Sequence, residues 1–274
     1  MGIITDWKSG LLNPVVSDTI NKDWALRQFD LLIRSVIFQS ASECYKQNGG
    51  RILMTLSGGL DSSFCLAMIR RRLGPDVPIY TFTIAGSEDH PDFIHAEMVA
   101  DLFHTRHHAW CPSKEAIEDA EARMRSIWPS DPIEPGDVAA FLVYKTIADH
   151  KLIHHNGLLS IIAHDGIDEL LGGYWDHRKE QSPEEKAEMF RYFWGRLENH
   201  HLIPLEKKAE HFGIDVYLPY FQENLIRFIS KIPLDDRTSK EVSKIPLREI
   251  AKAYLPKKII ERKKYGFCSA LDPM

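Results

Sequence analysis

One short apolar run constrains this chain more than any other feature. Ile52-Leu53-Met54-Thr55-Leu56 lies between two glycine pairs, Gly49-Gly50 and Gly58-Gly59. The run is too short for a helix and does not alternate apolar with polar residues, so it suits a strand buried on both faces of a parallel sheet. Ahead of it, Leu26, Phe29, Leu32, Ile33, Val36 and Ile37 share one face of a helix predicted to begin near Asn21. Gly49-Gly50 is a fitting stop, because glycine takes the left-handed backbone that ends helices. After the run, residues 62–73 are helical in pattern and finish on Arg70-Arg71-Arg72 and Gly74-Pro75. A second strand, Ile79–Ile84, a helix near Phe93–Phe103 and a brief strand, His107–Trp110, follow on short connections. Such alternation predicts an α/β fold: a parallel twisted sheet with helices on both faces.

Beyond Ser113 the pattern is mostly helical, with one further apolar strand over Leu158–Ala163. After Ser182 the only strand signal is Val216-Tyr217-Leu218, so the last third reads as a helical subdomain packed on the sheet. The expected organisation is an irregular arm over residues 1–20, an α/β domain over 21–181, and a helical C-terminal part over 182–274. A chain of 274 residues is long enough for this.

Composition removes several function classes. The net charge is −5, and basic runs such as Arg70-Arg71-Arg72 and Arg262-Lys263-Lys264 are balanced by acids elsewhere, so a nucleic-acid surface is not expected. No apolar stretch is long enough to span a bilayer, and no basic-then-apolar leader begins the chain. The four cysteines, Cys44, Cys65, Cys111 and Cys268, form no C-x-x-C pair and read as reduced thiols. The expected location is cytoplasmic.

Chemistry enters at Ser57-Gly58-Gly59-Leu60-Asp61-Ser62-Ser63, where the buried strand turns into a helix. Ligands of open parallel sheets bind at the carboxyl ends of strands. Gly58 and Gly59 let the backbone turn tightly and bring its N–H groups to an anion, and the helix beginning near Asp61 adds the positive end of its dipole. Ser57, Ser62 and Ser63 offer hydroxyl donors to phosphate oxygens. An Asp in a phosphate cradle repels its ligand unless a cation lies between them, so Asp61 implies Mg²⁺. Neither G-x-x-x-x-G-K-[ST] nor G-x-G-x-x-G is present, which sets aside P-loop NTPases and dinucleotide-binding folds.

A second cluster, His164-Asp165-Gly166-Ile167-Asp168-Glu169-Leu170-Leu171-Gly172-Gly173-Tyr174, also follows a buried strand. Asp168 either completes the metal site begun by Asp61 or caps a helix start.

Together the two clusters resemble the synthetase domain of asparagine synthetases, within the PP-loop ATP pyrophosphatase (adenine nucleotide α-hydrolase-like) superfamily. The S-G-G-x-D-S loop marks the superfamily, and G-x-D-E-x-x-G-G-Y marks the branch that also holds β-lactam and carbapenam synthetases. Phe82–Asp89 with His107-His108, Gly213–Pro219, and Leu255-Pro256 through Arg262-Lys263-Lys264-Tyr265-Gly266-Phe267 agree, so the resemblance runs from about Asp23 to Leu271. It implies a ligase that adenylates a substrate carboxylate with ATP and Mg²⁺ and passes the acyl group to ammonia or an amine. By that resemblance Ser57, Gly58, Gly59, Asp61 and Ser62 hold the pyrophosphate, and Asp61 and Asp168 bind Mg²⁺. Leu56 and Ile84 meet adenine through their backbones, and Ala163 and His164 line the nucleotide site. Lys264 stabilises developing negative charge, with Lys263 as its rival. Asp165 takes the position of an acid that deprotonates the incoming amine.

The sequence also departs from the family. Gly2 stands where the glutaminase domain of asparagine synthetases begins with Cys, and the length leaves no room for that domain. The nitrogen is therefore expected from free ammonia, from an amine, or from a separate glutaminase subunit. Two arginines of the family's substrate end read Pro204 and Tyr217, and His164 replaces a glycine, so free aspartate is not the expected substrate. The alternative readings are a PP-loop enzyme that adenylates a nucleobase or tRNA for thiolation or amination, and a subunit dependent on a glutaminase partner. His104, His107-His108, His154-His155 and His200-His201 lack the partners of a tetrahedral metal set and read as structural. Phe190, Tyr192, Phe193 and Trp194 read as core, and Ser182-Pro183-Glu184-Glu185 as a helix start.

Overall fold

The computed structural model of the chain describes residues 20–134, 136–150, 158–266 and 269–271. The arm expected over residues 1–20 lies, apart from Ile20, outside the described residues, as do His154-His155 and Phe267. Helix α1 (Lys22–Gln47) starts where Asn21 accepts the Trp24 N–H at 2.9 Å. It buries Phe29, Ile33, Val36 and Ile37 and ends at Gly49 and Gly50, both at positive φ. There follow β1 (Ile52–Thr55), α2 (Leu60–Leu73), β2 (Ile79–Ile84), α3 (Pro91–Leu102), β3 (Arg106–Trp110), α4 (Lys114–Ile127), α5 (Asp137–Asp149), β4 (Leu159–Ile162) and α6 (Ile167–Leu171). The remainder comprises α7 (Pro183–Leu197), a π-helical turn (Glu198–Leu202), α8 (Ile203–His211), β5 (Ile214–Tyr217), α9 (Glu223–Ile229), α10 (Leu234–Arg237), α11 (Ile245–Ala251) and α12 (Lys257–Ile260).

The five strands form one sheet in the order β3-β2-β1-β4-β5, and every pairing is parallel. All six residues of β2 are buried, as the unbroken apolar pattern requires of a strand covered on both faces. The strand signal near residue 216 is β5, which pairs with β4 from Leu159↔Ile214 to Ile162↔Tyr217. The C-terminal part thus supplies an edge strand to the sheet as well as helices. Among the described residues no helix is long and apolar enough to cross a membrane.

The strand order places the site. The chain moves outward from β1 to β2 and β3, then returns to the other side of β1 as β4. The carboxyl ends of β1 and β4 therefore flank the switch point, where the diverging connections leave a crevice. Both motif clusters begin there.

Side-chain clamps hold the crevice walls. Asn48, at the end of α1, donates to the Ser160 carbonyl at 2.8 Å and accepts the Ser160 N–H at 2.9 Å, tying α1 to β4. Fully buried Arg237 donates to the carbonyls of Ile232 (2.7 Å), Ser230 (3.0 Å) and Leu170 (3.3 Å), and Thr238 donates to the Gly172 carbonyl at 3.1 Å. Two residues of the C-terminal part thereby fix α6, which carries Asp168 and Glu169. The expected helix start at Ser182 is a capping box: Glu185 accepts the Ser182 N–H (2.7 Å) and Ser182 accepts the Glu185 N–H (3.2 Å).

Candidate active site

The loop after β1 is shaped by what lies beneath it. Gly58 has φ +63°, and a Cβ there would lie 2.3 Å from the His95 carbonyl carbon and 2.4 Å from the Ala96 nitrogen of α3. Only glycine lets the loop lie this flat on α3. The loop then closes on itself: Ser57 N–H donates to Ser62 Oγ (3.3 Å), the two hydroxyls are 3.2 Å apart, and Gly59 N–H donates to Ser57 Oγ (3.3 Å). Arg262 braces it from outside, donating to the Ser57 carbonyl at 2.7 Å while its other end pairs with Asp92 at the start of α3.

Two carboxylates and two lysines meet at the mouth of the loop. Lys244 Nζ lies 2.5 Å from Asp61 Oδ2 and 2.7 Å from Asp168 Oδ1, and Lys264 Nζ lies 2.5 Å from the same Asp168 oxygen. Burial works against the Asp168 anion, but Lys244 and Lys264 outweigh it and hold its pKa far below the ordinary value. Burial likewise opposes charge on Lys244, and Asp168 and Asp61 outweigh it, so this lysine stays protonated. At Asp61 burial wins: with the charge of Asp168 it lifts the carboxyl above its usual range against the pull of Lys244. Asp61 Oδ1 is buried without a hydrogen-bond partner. The Lys244 ammonium stands where a cation would bridge the two carboxylates, so their gap fits one. Among the described residues no group of three or more His, Cys, Asp or Glu side chains is placed to hold a metal. Two carboxylates of this kind would suit a hard divalent cation such as Mg²⁺.

A cavity of about 360 Å³ opens beside this cluster. Its floor is Leu56, Ser57, Asp61 and Ser62 on one side and Ala163, His164, Asp165 and Asp168 on the other, with Ile84 and Lys264 at the walls. His164 is neutral, its pKa lowered to about 4 by burial, and its Nε2 is buried without a partner. Further from the loop stand Glu134, Asp137, Glu169, Tyr174, His200 and His201. Tyr174 donates to Glu169 Oε1 at 2.6 Å, and Lys264 rests 4.5 Å from the centre of the Tyr174 ring. A second cavity, of about 70 Å³, lies behind the loop among Lys244, Arg248, Arg262, Lys263 and Lys264.

The family model for asparagine synthase matches residues 33–212 and 185–273, most of the chain. The chain belongs to the asparagine synthase family. It is 28% identical over 244 residues to the glutamine-hydrolysing asparagine synthetase of Mus musculus and 27% identical to that of Homo sapiens, each alignment covering 86% of this chain. The chain spans 42% of the length of these relatives. Solved structures of an NMN synthetase from Francisella tularensis (13% identity; 89% of this chain and 91% of that one) and an NAD⁺ synthetase from Burkholderia pseudomallei (16%; 81% and 86%) superpose with TM-scores of 0.38 and 0.36, too low to carry an argument.

Of the site residues named from the asparagine synthase resemblance, Leu56, Ser57, Asp61, Ser62, Ile84, Ala163, His164, Asp165, Asp168 and Lys264 all line the larger cavity. Gly59 lines the smaller one, whereas Gly58 lines neither and acts through the turn. The Leu56 N–H is committed to the Phe82 carbonyl (2.9 Å) and the Leu56 carbonyl already accepts the Thr83 hydroxyl, so one carbonyl lone pair is left there for a ligand. Ser63, expected to face phosphate, is fully buried and lines neither cavity, because it lies on the inner face of α2. Pro204 and Tyr217 also lie outside both cavities, while Leu205 lines the larger. Tyr192, read as core, is 51% exposed; Phe190 and Trp194 are buried.

Two residues escaped the sequence reading. Lys244 lies in a segment with no motif, yet it is buried, has φ +53° and pairs with both acids. Few non-glycine residues adopt that backbone, and here the Lys244 N–H donates to the Leu171 carbonyl at 3.3 Å while its side chain reaches both acids. The other is His201, dismissed with the paired histidines, which contacts Asp165.

Proposed function

We propose that this chain is an ATP-dependent synthetase that adenylates a substrate carboxylate, releasing pyrophosphate, and then joins the acyl group to ammonia or an amine, releasing AMP. The observation that carries this reading is the convergence of Asp61, Asp168, Lys244 and Lys264 on the serine-glycine loop at the switch point of the sheet. The triphosphate lies along Ser57–Ser62, with its charge offset by the start of α2 and the two lysines. A substrate carboxylate oxygen attacks the α-phosphorus while Lys264, free to leave Asp168, meets the charge that builds there. The cationic pocket behind the loop receives the departing pyrophosphate. Asp61 and Asp168 would hold Mg²⁺, which neutralises phosphate charge and polarises the phosphoryl group when bound. The nitrogen comes as free ammonia, as an amine, or from a separate glutaminase subunit.

The test is a screen of amino acids and related carboxylates with ATP, Mg²⁺ and ammonia, reading AMP and pyrophosphate together. Both products depend on the carboxylate, and Asp61→Asn lowers their release on the order of 10²-fold. ADP in place of AMP would overturn the mechanism.

A further inference from the structure

We infer that His201, held by Asp165, is the proton acceptor for the incoming nitrogen nucleophile, and that Asp165 acts through it as a positioning residue. The inference rests on the synthetase reading above and concerns its second step.

The geometry singles out the pair. His201 sits in the π-helical turn Glu198–Leu202 between α7 and α8. The wider turn inserts a residue into the helix and re-aims the side chains beside it, which is why such turns recur at functional sites. His201 Nε2 is 2.5 Å from Asp165 Oδ1, and both side chains line the cavity on the side away from the loop. Asp165 belongs to the same connection as Asp168, so the pair stands next to the place where the acyl-adenylate forms.

The division of labour follows from the surroundings. Burial pushes the Asp165 carboxyl up, but the charge and hydrogen bond of His201 outweigh it and leave the acid below its ordinary range. A carboxylate stabilised in that way takes up a proton poorly. Burial lowers His201, and Asp165, Glu169 and Asp137 outweigh it, raising the imidazole to about 9. That value lies between those of an α-amino group and a lysine amine, so a proton passes from an alkylammonium or ammonium donor with little change in free energy. The other charged groups facing the pair are accounted for. Asp137, at the start of α5, is paired with Lys208 of α8 at 2.8 Å, and Glu169 of α6 accepts from Tyr174. His164 is neutral, and His200, in the same turn, has Arg196 at 3.5 Å.

With the Nε2–H directed at Asp165, Nδ1 of the neutral imidazole is left to receive the proton. A neutral amine attacks the acyl carbon directly and passes an N–H proton to Nδ1 as the C–N bond forms. An ammonium donor first gives a proton to Nδ1 and then attacks through the freed lone pair. The C–N bond forms, the acyl C–O bond to phosphate breaks, and its electron pair leaves with AMP. From an ammonium donor, the second N–H proton goes to the released phosphate or solvent.

The experiment uses hydroxylamine, an amine already neutral across the range of interest, and reads hydroxamate formed per pyrophosphate released. For the native chain this ratio rises with pH through about 9. His201→Gln lowers it roughly 10²-fold and flattens the profile. Asp165→Asn moves the midpoint to lower pH, because His201 loses its anion, and Asp165→Glu restores it. An unchanged profile in His201→Gln would sink the inference while leaving the synthetase reading intact. Should that variant fail to fold, an unmoved midpoint in Asp165→Asn would do the same. No pyrophosphate from the native chain with any carboxylate would overturn both.

Discussion

Ser57, Asp61 and Ser62, at the end of the cleft proposed to take phosphate, come from one short stretch, whereas Asp137, Asp165, Glu169 and His201, at the end proposed to take the acceptor, come from three parts of the chain. At the phosphate end the backbone does much of the work. Its turn is set by Gly58 lying against α3 and braced by Arg262, and three of its charges are well shielded, with Lys244 4%, Asp168 15% and Asp61 19% exposed, while Lys264 is 36% exposed. At the acceptor end side chains form pairs that stay partly open to solvent, with His201 39% and Asp165 26% exposed. On the proposed function the loop end takes the triphosphate, whose shape does not vary, so its site can be built from one short stretch of backbone. The other end takes the acceptor on that proposal, and a site assembled from side chains on several elements can change one piece at a time.

The contrast can be broken at its most rigid point. A Cβ at Gly173 would lie 1.6 Å from Asp168 Oδ1 and 2.6 Å from Lys244 Cε. Gly173→Ala should therefore scatter the charge cluster and lower pyrophosphate release on the order of 10²-fold. Retention of full activity would show that the cluster tolerates displacement and is not the rigid end.

Lys244 tests the electrostatics. Lys244→Met removes the ammonium that neutralises two buried carboxylates and should destabilise the fold by about 3–5 kcal/mol, as breaking one side of a buried ion pair does. Thermal melting checks this, and Mg²⁺ should raise the melting temperature of the variant more than that of the native chain. Equal responses to Mg²⁺ would argue that no cation replaces the lysine between Asp61 and Asp168.

The smallest effect is expected at the acceptor end. His201 has a folded pKa of about 9 against 6.5 for the free side chain. Its protonated form therefore stabilises the fold fully below pH 6.5, and that contribution is lost as pH rises through 9. Because the side chain is 39% exposed, solvent screening keeps the contribution to about 1 kcal/mol or less. Melting curves from pH 6 to 10 should show this loss in the native chain and not in His201→Gln.

How much of the site was legible beforehand follows the same division. Asp61, Ser57 and Ser62 declare themselves because a tight glycine turn between strand and helix imposes short-range spacing. Asp168 and Lys264 came from their strings. Lys244 gave no local sign: it lies 183 residues from Asp61, and only the folded chain brings it between the two acids. His201 reads as one more histidine in a pair until a π-turn brings it to Asp165, 36 residues earlier. The edge strand β5 was a faint signal for a related reason, since half-exposed strands at sheet edges carry less apolar patterning than β1 or β2.

The sequence by itself determined the parallel α/β fold, the anion-binding turn after the first strand and the presence of acids at the ends of two buried strands. Each depends on spacing within a few residues, where backbone geometry leaves little choice. The tertiary structure alone decided that those two strands flank the switch point, that Gly58 must be glycine because α3 lies beneath it, and that Lys244 and His201 sit against the acids. Those relations join residues far apart in the chain, and they exist only after burial has removed the water that would otherwise solvate each charge separately.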